Sequence, residues 1–503
     1  MQFKTSKPEE TEALAVTLSL FAKPGLVILL EGNLGAGKST FARAFIKALA
    51  LSGADFDVPS PTFTLVQAYD DLRVRVAHVD LYRLGETGDV AELGLAELTQ
   101  THLVIIEWPQ VAASRLSQHV LRLKFSGAGT IRLIEAEAQG AWVKILQRNG
   151  EIETFLLSHS ISPTTRTFFE GDASSRRYEK VRRGRDTLIL MDMPRRADGP
   201  PVKKNKPYSA IAHLAEGLSE VVAINDYLVN VGYSAPRIAS CDLDHGLALL
   251  EDLGSAVYGQ IMRNDVDMSV PMITAVEVLA DIAARSWPHT VPLRGFGDYT
   301  LPAYDEEAQL IEVDLLPVWF HAHVQGQKGS ADLRDSFTSL WREVLHFTHI
   351  DNPVWVLRDF HSPNLLWLPE REGLQRVGLI DTQDAVLGHP AYDLAALLQD
   401  ARVDINFAFA DKLYAHYVGL RHRWGAFDEA EFARAFAILG AQRTTKILGI
   451  FARLNARDGK PVYLKHMPRV ARYLARNLEH PALARIKLWY EREMPEALRV
   501  GYT

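Results

Sequence analysis

The pattern of apolar and polar positions predicts alternating helices and strands over the first part of the chain. Apolar residues at helical spacing within residues 13–22 predict an early helix. Residues 26–32 and 103–108 contain continuous apolar runs, and residues 74–80 alternate between apolar and polar side chains. Continuous runs are typical of strands that are buried on both faces of a parallel sheet. The pattern therefore predicts an α/β domain.

The predicted end of this domain is residue 150. The segments LRLKF, TIRLIEAE and WVKILQRN are predicted to be its closing strands, and residues 153–159 to begin a new helix. The chain then divides into two predicted domains, residues 1–150 and residues 151–503.

The second region has a different pattern, in which strands are followed by helices. Residues 168–183 predict two strands around a tight turn, residues 186–194 a third strand, and residues 246–254 a further strand. Beyond residue 400 the apolar spacing is helical.

Composition and charge exclude several classes of function. The 503 residues are 47% hydrophobic and 23% charged, as in ordinary globular proteins. The formal charge is −7 and neither region is basic overall, so we expect no direct binding of nucleic acid and no membrane surface. No apolar run approaches the length of a membrane span, and the single cysteine, Cys241, fits a reducing compartment such as the cytoplasm.

A phosphate-binding loop follows the first predicted strand directly and opens a predicted helix. The pattern is G-x-x-x-x-G-K-[ST], in which glycines turn backbone N–H groups towards phosphates, a lysine adds positive charge, and a hydroxyl reaches Mg²⁺. The alternative, a glycine turn with an incidental lysine, is disfavoured by the full spacing. The predicted nucleotide-binding residues are Gly32, Asn33, Leu34, Gly35, Ala36, Gly37, Lys38, Ser39 and Thr40.

Two acids stand at the ends of neighbouring predicted strands. Asp80 ends one strand and Glu107 the other. In a P-loop fold, acids at such positions hold Mg²⁺ or orient the attacking water, although an acid at the end of any one strand is common. Residues 60–65, SPTFTL, lie between the loop helix and Asp80, where a switch segment would contact the nucleotide.

The motifs EGNLGAGKST, SPTFTL, HVDLYRL and IIEW, in this order, resemble the TsaE family of ATPases that assist threonylcarbamoyladenosine modification of tRNA. The resemblance covers about residues 1–150. It implies an α/β P-loop NTPase domain in which Lys38, Ser39 and Thr40 bind Mg-ATP, Asp80 serves the metal and Glu107 supports hydrolysis. It also implies partners, namely the TsaB- and TsaD-type proteins that transfer the threonylcarbamoyl group.

Acids and an amide with the spacing of a phosphotransferase lie between residues 354 and 393. Asp359 and Asn364 share a predicted loop, Asp381 ends a strand and Asp393 opens a helix. Phosphoryl transfer from ATP needs a carboxylate to accept the proton of the nucleophile and further oxygen ligands for Mg²⁺. We predict Asp359 as the base and Asn364 and Asp381 as metal ligands. Asp393 is equally well explained as a helix N-cap.

The predicted turn at residues 171–175 has two interpretations. Gly171, Ser174 and Ser175 are small residues whose backbone amides would lie over the phosphates of a nucleotide. A plain hairpin explains them equally well.

Residues 160–500 resemble the aminoglycoside-phosphotransferase and choline-kinase group, which implies a two-lobed, protein-kinase-like α+β fold. Within the group, GDASSRRY, LILMDMP and QRTTKILGIFARLNARDGKPVYL resemble AmgK-like kinases. This implies ATP-dependent phosphorylation of the anomeric hydroxyl of an amino sugar, N-acetylmuramate or N-acetylglucosamine, in cell-wall recycling.

One position departs from that group. The third strand, residues 188–193, lacks the lysine that usually holds the phosphates, so Arg195, Lys203 or Lys204 would replace it, or the site is weakened. Arg358 stands where many relatives have glycine. Two alternatives therefore stay open for the second region: a kinase of another small alcohol, such as an aminoglycoside or choline, and a non-catalytic nucleotide-binding regulator of the ATPase.

Overall fold

The computed structural model describes residues 1–51, 56–84, 93–111, 117–127, 131–169, 176–195, 199–264 and 266–499. The chain forms two compact units, residues 1–191 and residues 192–503, and each is described by itself. Among the described helices, none combines the length and the apolar character needed to cross a bilayer.

The first unit alternates strands and helices over most of its length. In chain order its elements are β1 (Gln2–Thr5), α1 (Pro8–Ser19), β2 (Val27–Glu31), α2 (Lys38–Lys47), β3 (Val66–Tyr69), β4 (Val76–Asp80), α3 (Leu95–Thr101), β5 (Leu103–Glu107), β6 (Val120–Ser126), β7 (Arg132–Ala138), α4 (Ala141–Ser158), β8 (Thr167–Phe169), β9 (Arg177–Arg183) and β10 (Asp186–Asp192).

The main sheet of this unit has the order β1-β7-β6-β2-β5-β4-β3. Its centre is parallel, because β2 pairs in parallel with β5 and β6, and β4 with β5. Alternate side chains of β2 pack on opposite faces. Ile28 and Leu30 face α1, α2 and α4, whereas Val27 and Leu29 face α3. The predicted strands that end at Asp80 and Glu107 are confirmed as β4 and β5.

One predicted closing strand is wrong. The segment WVKILQRN belongs to α4, which continues through residue 150 to Ser158. Trp142, Leu146 and Leu156 are buried on one face of this helix, and the Trp142 indole donates to the Val27 carbonyl at 3.1 Å. In a short apolar segment, periodicity alone does not distinguish a helix from a strand. Here the segment forms a helix that packs against the sheet. The division at residue 150 falls inside α4 and stays a prediction.

The end of the first unit is tied to α4 by a buried cation. Arg166 donates to both carboxylate oxygens of Glu179 on β9, at 2.7 and 3.0 Å, and to the side-chain oxygen of Asn149 on α4 at 2.6 Å. The three predicted strands of this segment are confirmed as β8, β9 and β10. The predicted turn residues Gly171, Ser174 and Ser175 lie outside the described residues.

The second unit is mainly helical. Its elements are β11 (Pro201–Lys203), β12 (Lys206–Pro207), α5 (Tyr208–Ile211), α6 (Leu218–Asn230), β13 (Ile238–Asp242), β14 (Leu247–Glu251), α7 (Tyr258–Arg263), α8 (Ser269–Ala284), β15 (Thr290–Pro292), β16 (Asp298–Thr300), α9 (Glu306–Val313), α10 (His321–Gln325), α11 (Ala331–Leu345), β17 (Val354–Val356), β18 (Leu365–Trp367), β19 (Val377–Leu379), β20 (Val386–Gly388), α12 (Ala391–Leu398), α13 (Phe407–Trp424), α14 (Glu429–Asp458), α15 (Met467–Asn477) and α16 (Ala484–Glu493).

Helix α14 is the centre of this unit's core. Its buried side chains pack against residues of α9, α11, α15 and α16. A π-helical turn, Leu316–Phe320, follows α9 and approaches α14 very closely. A Cβ atom at Gly449 would lie 2.5 Å from the carbonyl carbon of Leu315, so glycine is needed at this crossing. The crossing fixes α9 and α14 beside each other.

Four short strands position the predicted catalytic residues. β17 pairs with β20 and β18 pairs with β19, both antiparallel. The loop from β17 to β18 carries Asp359 and Asn364, and the loop from β19 to β20 begins near Asp381. Because the pairs are nested, both loops lie at the same end of these strands.

Candidate functional sites

The backbone of the phosphate-binding loop, residues 32–37, requires its glycines at two positions. Gly32 has φ 140° and a Cβ there would lie 2.5 Å from the Phe125 carbonyl oxygen. Gly37 has φ 106° and immediately precedes α2. These left-handed conformations disfavour residues with side chains. The loop therefore joins β2 to the N-terminus of α2, whose first residue is Lys38.

Lys38 is held over this loop. Its ammonium donates to the carbonyl oxygens of Gly32 at 2.7 Å and Asn33 at 3.0 Å, and lies 3.9 Å from the centre of the Trp108 ring. Burial lowers the pKa of Lys38, and the charges of Glu107 and Asp80 oppose that shift. A lysine held in this way can exchange loop carbonyls for phosphate oxygens.

The two predicted acids lie side by side with the loop hydroxyl. Asp80 and Glu107 are directly paired residues on β4 and β5. The Ser39 hydroxyl donates to Glu107 at 2.8 Å. The opposite carboxylate oxygen of Glu107 lies 3.0 Å from His78 Nε2. Ser39, Asp80 and Glu107 are therefore brought together, with His78 as a buried partner that the sequence analysis missed.

The predicted switch segment, residues 60–65, contacts Asp80. Ser60 and Thr62 donate to one carboxylate oxygen of Asp80 at 2.9 and 2.8 Å. The neighbouring Phe63 side chain is 81% exposed, with the Arg83 guanidinium 4.1 Å from its ring. Arg132 also contacts the loop and was missed by the sequence analysis, since a basic residue on a distant strand has no local signal. Its guanidinium donates to the Ala36 carbonyl at 3.0 Å.

The predicted kinase residues also meet in the second unit. Asp359, Asn364 and Asp381 line one small cavity. The Asn364 side chain donates to the Asp359 carbonyl at 3.1 Å. His361 Nε2 lies 3.6 Å from the Asp359 carboxylate. Burial alone would raise the pKa of Asp359, but His361, Lys446 and Arg358 hold that pKa below its ordinary value. Asp359 is therefore an ionised carboxylate that can accept a proton.

Two further carboxylates hold the loop that carries Asp359. Asp393 accepts the backbone N–H groups of Leu357 at 2.6 Å and Arg358 at 2.9 Å. Asp400 accepts the N–H of Ser362 at 2.7 Å. The N-cap interpretation of Asp393 is wrong, because Pro390 occupies the N-cap position of α12. Burial raises the pKa of Asp393 to about 7. Asp400 gave no motif signal, because its role depends on a backbone group in another element.

Arg358, the residue before Asp359, belongs to a buried network centred on Glu312 of α9. The Glu312 carboxylate accepts hydrogen bonds from Arg358, from Tyr304 at 2.5 Å and from Gln442 at 3.0 Å, and pairs with Lys446 at 2.8 Å. Arg358 has φ 65° and also donates to the Ala212 carbonyl at 2.7 Å. The arginine at this position therefore anchors the loop.

The three basic residues considered as substitutes for the missing strand lysine differ in their surroundings. Lys204 pairs with Glu307 at 2.5 Å, and Arg195 lies 4.0 Å from Glu216. Lys203 is exposed on β11. Strand β10 presents buried apolar side chains from residue 188 to residue 191. Which residue takes the place of the lysine stays a prediction.

The two units thus define two classes of nucleotide-dependent protein, a P-loop ATPase and a kinase-like phosphotransferase. Residues 165–433 match the family model "Phosphotransferase enzyme family", and residues 5–133 match "Threonylcarbamoyl adenosine biosynthesis protein TsaE". The chain belongs to the phosphotransferase enzyme family, and its N-terminal region belongs to the TsaE family. The predicted fold class, a P-loop α/β domain followed by a kinase-like α+β domain, is confirmed.

Individual relatives match each of the two regions. An N-acetylmuramate/N-acetylglucosamine kinase of Caulobacter vibrioides is 34% identical over 362 residues, which cover 70% of this chain and 98% of that one. The tRNA threonylcarbamoyladenosine biosynthesis protein TsaE of Bacillus subtilis is 38% identical over 130 residues, 26% of this chain and 79% of that one. The solved GDP complex of aminoglycoside 2′-phosphotransferase-IIIa is 14% identical, with a TM-score of 0.42 over 66% of this chain and 99% of that chain.

Proposed function

We propose that the chain is bifunctional and that its second unit is an anomeric kinase of N-acetylmuramate and N-acetylglucosamine, which produces sugar 1-phosphates from ATP. The observation that carries the proposal is the assembly of Asp359, Asn364 and Asp381 around one cavity, beside the cations of the Glu312 network. The name of the 34% identical Caulobacter relative supports the choice of substrate.

The reaction follows from the charges at this site. The Asp359 carboxylate accepts the proton of the sugar C1 hydroxyl, whose oxygen forms a bond to the γ-phosphorus of ATP while the bond to the β,γ-bridging oxygen breaks and ADP leaves. Asn364 and Asp381 supply one amide and one carboxylate oxygen, which fits Mg²⁺ bound mainly by phosphates and water. When bound, Mg²⁺ would neutralise phosphate charge. Gly171, Ser174 and Ser175 stay predicted phosphate contacts.

The charges near Asp359 favour this acceptor over the alternatives. Glu312 neutralises Lys446 and Arg358, but Arg453, whose guanidinium lies 5.1 Å from the Tyr208 ring, makes no ion pair among the described residues. An aminoglycoside carries several positive charges and choline carries one, so each would be repelled by Arg453. A neutral or anionic sugar meets no such repulsion. A regulator that only binds nucleotide does not need an ionised Asp359, nor a loop held in place by hydrogen bonds to Asp393 and Asp400 on either side of that residue.

The experiment is ATP consumption with each sugar, in a Lys38→Ala background that silences the P-loop. We expect sugar-dependent turnover that falls about 10²–10⁴-fold on Asp359→Asn, because a general base contributes that much. The matched control is Asp351→Asn, whose side chain is 96% exposed eight residues upstream. Turnover with an aminoglycoside or choline alone would refute the proposed substrate, and ATP binding without any turnover would favour the regulator.

For the first unit we propose an ATPase that supports threonylcarbamoyladenosine modification of tRNA together with TsaB- and TsaD-type partners. Lys38 and Thr40 would bind ATP, Ser39 and Asp80 would hold Mg²⁺, and Glu107 would support hydrolysis. A hydroxyl paired with strand-end carboxylates is a donor set that fits Mg²⁺. We expect Lys38→Ala to abolish this support and to leave sugar phosphorylation intact. Loss of both activities would show instead that the two are coupled.

Exposed apolar side chains around this nucleotide site support a partner surface. Leu34, Phe63 and Tyr82 are 80%, 81% and 54% exposed. We expect Phe63→Ser to weaken stimulation of tRNA modification by the TsaB- and TsaD-type proteins without loss of ATP binding. The control is Leu157→Ser, at a position 62% exposed on α4. Equal effects of the two substitutions would argue against a surface at Phe63.

A further inference from the structure

Two cations on one face of α14 differ in how well they are neutralised. Lys446 and Arg453 are seven residues apart, which is about two helical turns or roughly 10 Å along the axis. The Lys446 ammonium pairs with the fully buried Glu312 at 2.8 Å and donates to the Tyr392 hydroxyl at 3.2 Å. Its charge is therefore already compensated within the protein.

Arg453 makes no ion pair among the residues that the structure describes. Its guanidinium lies 5.1 Å from the centre of the Tyr208 ring, and its buried Nε has no hydrogen-bond partner among the described residues. The acid nearest along the helix, Asp458, accepts two hydrogen bonds from the guanidinium of Arg457, at 2.8 and 2.9 Å. Burial lowers the pKa of Arg453 more than its contact with the Tyr208 hydroxyl and the charge of Asp458 raise it. An anion brought beside Arg453 would stabilise its charge further.

Tyr208 connects this arginine to the predicted catalytic base. The Tyr208 hydroxyl lies within electrostatic range of Glu312, Lys446, Arg358 and Arg453, and burial raises its pKa to about 12. Lys446 and Arg358 in turn act on Asp359. Contacts of α5 place Arg453 and Asp359 in the same part of the unit: Arg453 lies 5.1 Å from the ring of Tyr208 at the start of α5, and Arg358, the residue before Asp359, donates to the Ala212 carbonyl at its end at 2.7 Å.

The two proposed substrates differ in charge at one position only. N-acetylmuramate carries a lactyl ether on its third oxygen, which ends in a carboxylate, whereas N-acetylglucosamine has a hydroxyl there. We propose that Arg453 binds the lactyl carboxylate when the anomeric hydroxyl faces Asp359, and so determines the preference of this chain between the two sugars. The inference rests on the proposed sugar kinase function and deepens it. Arg453 is thus a specificity residue that touches one substrate and not the other.

The experiment compares KM values for N-acetylmuramate, its lactyl methyl ester and N-acetylglucosamine. Since a hydrogen bond between charged groups contributes about 1.5–3 kcal/mol, we expect Arg453→Gln to raise the KM for N-acetylmuramate about 10–150-fold. The KM for N-acetylglucosamine should stay within about twofold, because a neutral sugar gains nothing from the charge. In the wild type, the KM for the methyl ester should exceed the KM for N-acetylmuramate by the same factor. In Arg453→Gln, the ester and the acid should have equal KM values.

Two further variants separate recognition from packing. Arg453→Lys keeps the charge and should restore part of the discrimination. Arg457→Gln removes a cation one turn away that is already paired with Asp458, and should change neither KM. Equal KM changes for both sugars in Arg453→Gln, or discrimination that survives the substitution, would overturn the role of Arg453 while leaving the kinase proposal standing. Absence of wild-type turnover with both sugars would overturn both proposals.

Discussion

Replacement of Glu312 by glutamine tests how the loop that carries Asp359 is stabilised. The Glu312 carboxylate is fully buried and is the counter-charge of two cations, Arg358 and Lys446. Glutamine has nearly the same volume and can still bond to Tyr304 and Gln442. The substitution therefore removes one negative charge and leaves two buried cations without their counter-charge.

The expected loss of stability follows from the two buried positive charges that are left without a negative one. Breaking a buried ion pair from one side costs about 3–5 kcal/mol. For a unit of about 310 residues, the unfolding entropy per residue gives a shift of about 5–8 °C in the melting temperature. Burial would raise the pKa of Glu312, but Lys446 and Arg358 lower it to about 2. A carboxylate with a lowered pKa stabilises the fold fully above about pH 4.5, and this contribution is lost as the pH falls towards 2.

Scanning calorimetry of the full chain at pH 7 measures this shift. The matched control is Glu307→Gln, which breaks the exposed pair with Lys204 and should cost at most about 1 kcal/mol. A double variant, Glu312→Gln with Lys446→Met, should recover part of the loss because it removes one of the stranded cations. A Glu312→Gln shift no larger than that of Glu307→Gln would refute the reasoning.

Three further predictions concern other buried groups. Burial lowers the pKa of His389 to about 4, so only the unfolded chain takes up the proton between pH 6.5 and 4, and the free energy of unfolding should fall by up to roughly 3 kcal/mol over that range. In His389→Asn, the free energy of unfolding measured in urea should depend less on pH over the same range. Arg166→Met should destabilise the first unit by up to about 3–5 kcal/mol in urea, since buried Glu179 loses its two hydrogen bonds to Arg166 and, among the described residues, keeps only Arg177, at 3.5 Å; the double variant with Glu179→Leu should be milder. Asp400→Asn should lower kinase kcat with little change in the melting temperature, since one loop hydrogen bond to Ser362 is weakened; unchanged kcat would contradict its positioning role.

The phosphate-binding loop and the kinase loop were predictable because their chemistry is written in consecutive residues. The glycines and the lysine of the first motif lie within nine consecutive residues, Gly32 to Thr40, and Asp359 and Asn364 share one loop. The structure brings each set together as predicted. By contrast, Asp393 was ambiguous, because an acid in the first turn of a helix is equally common as a local cap.

Local sequence alone specified the buried strands, the two nucleotide motifs and the order of the two families along the chain, because each depends on residues a few positions apart. The tertiary structure decided the rest. WVKILQRN forms part of a helix that packs on a sheet, and the counter-charge of Arg358 is Glu312, 46 residues away in the sequence. His78, Arg132, Asp400 and Arg453 gained their neighbours only when distant elements met, since hydrogen bonds and burial in a folded chain join residues that sequence spacing keeps apart.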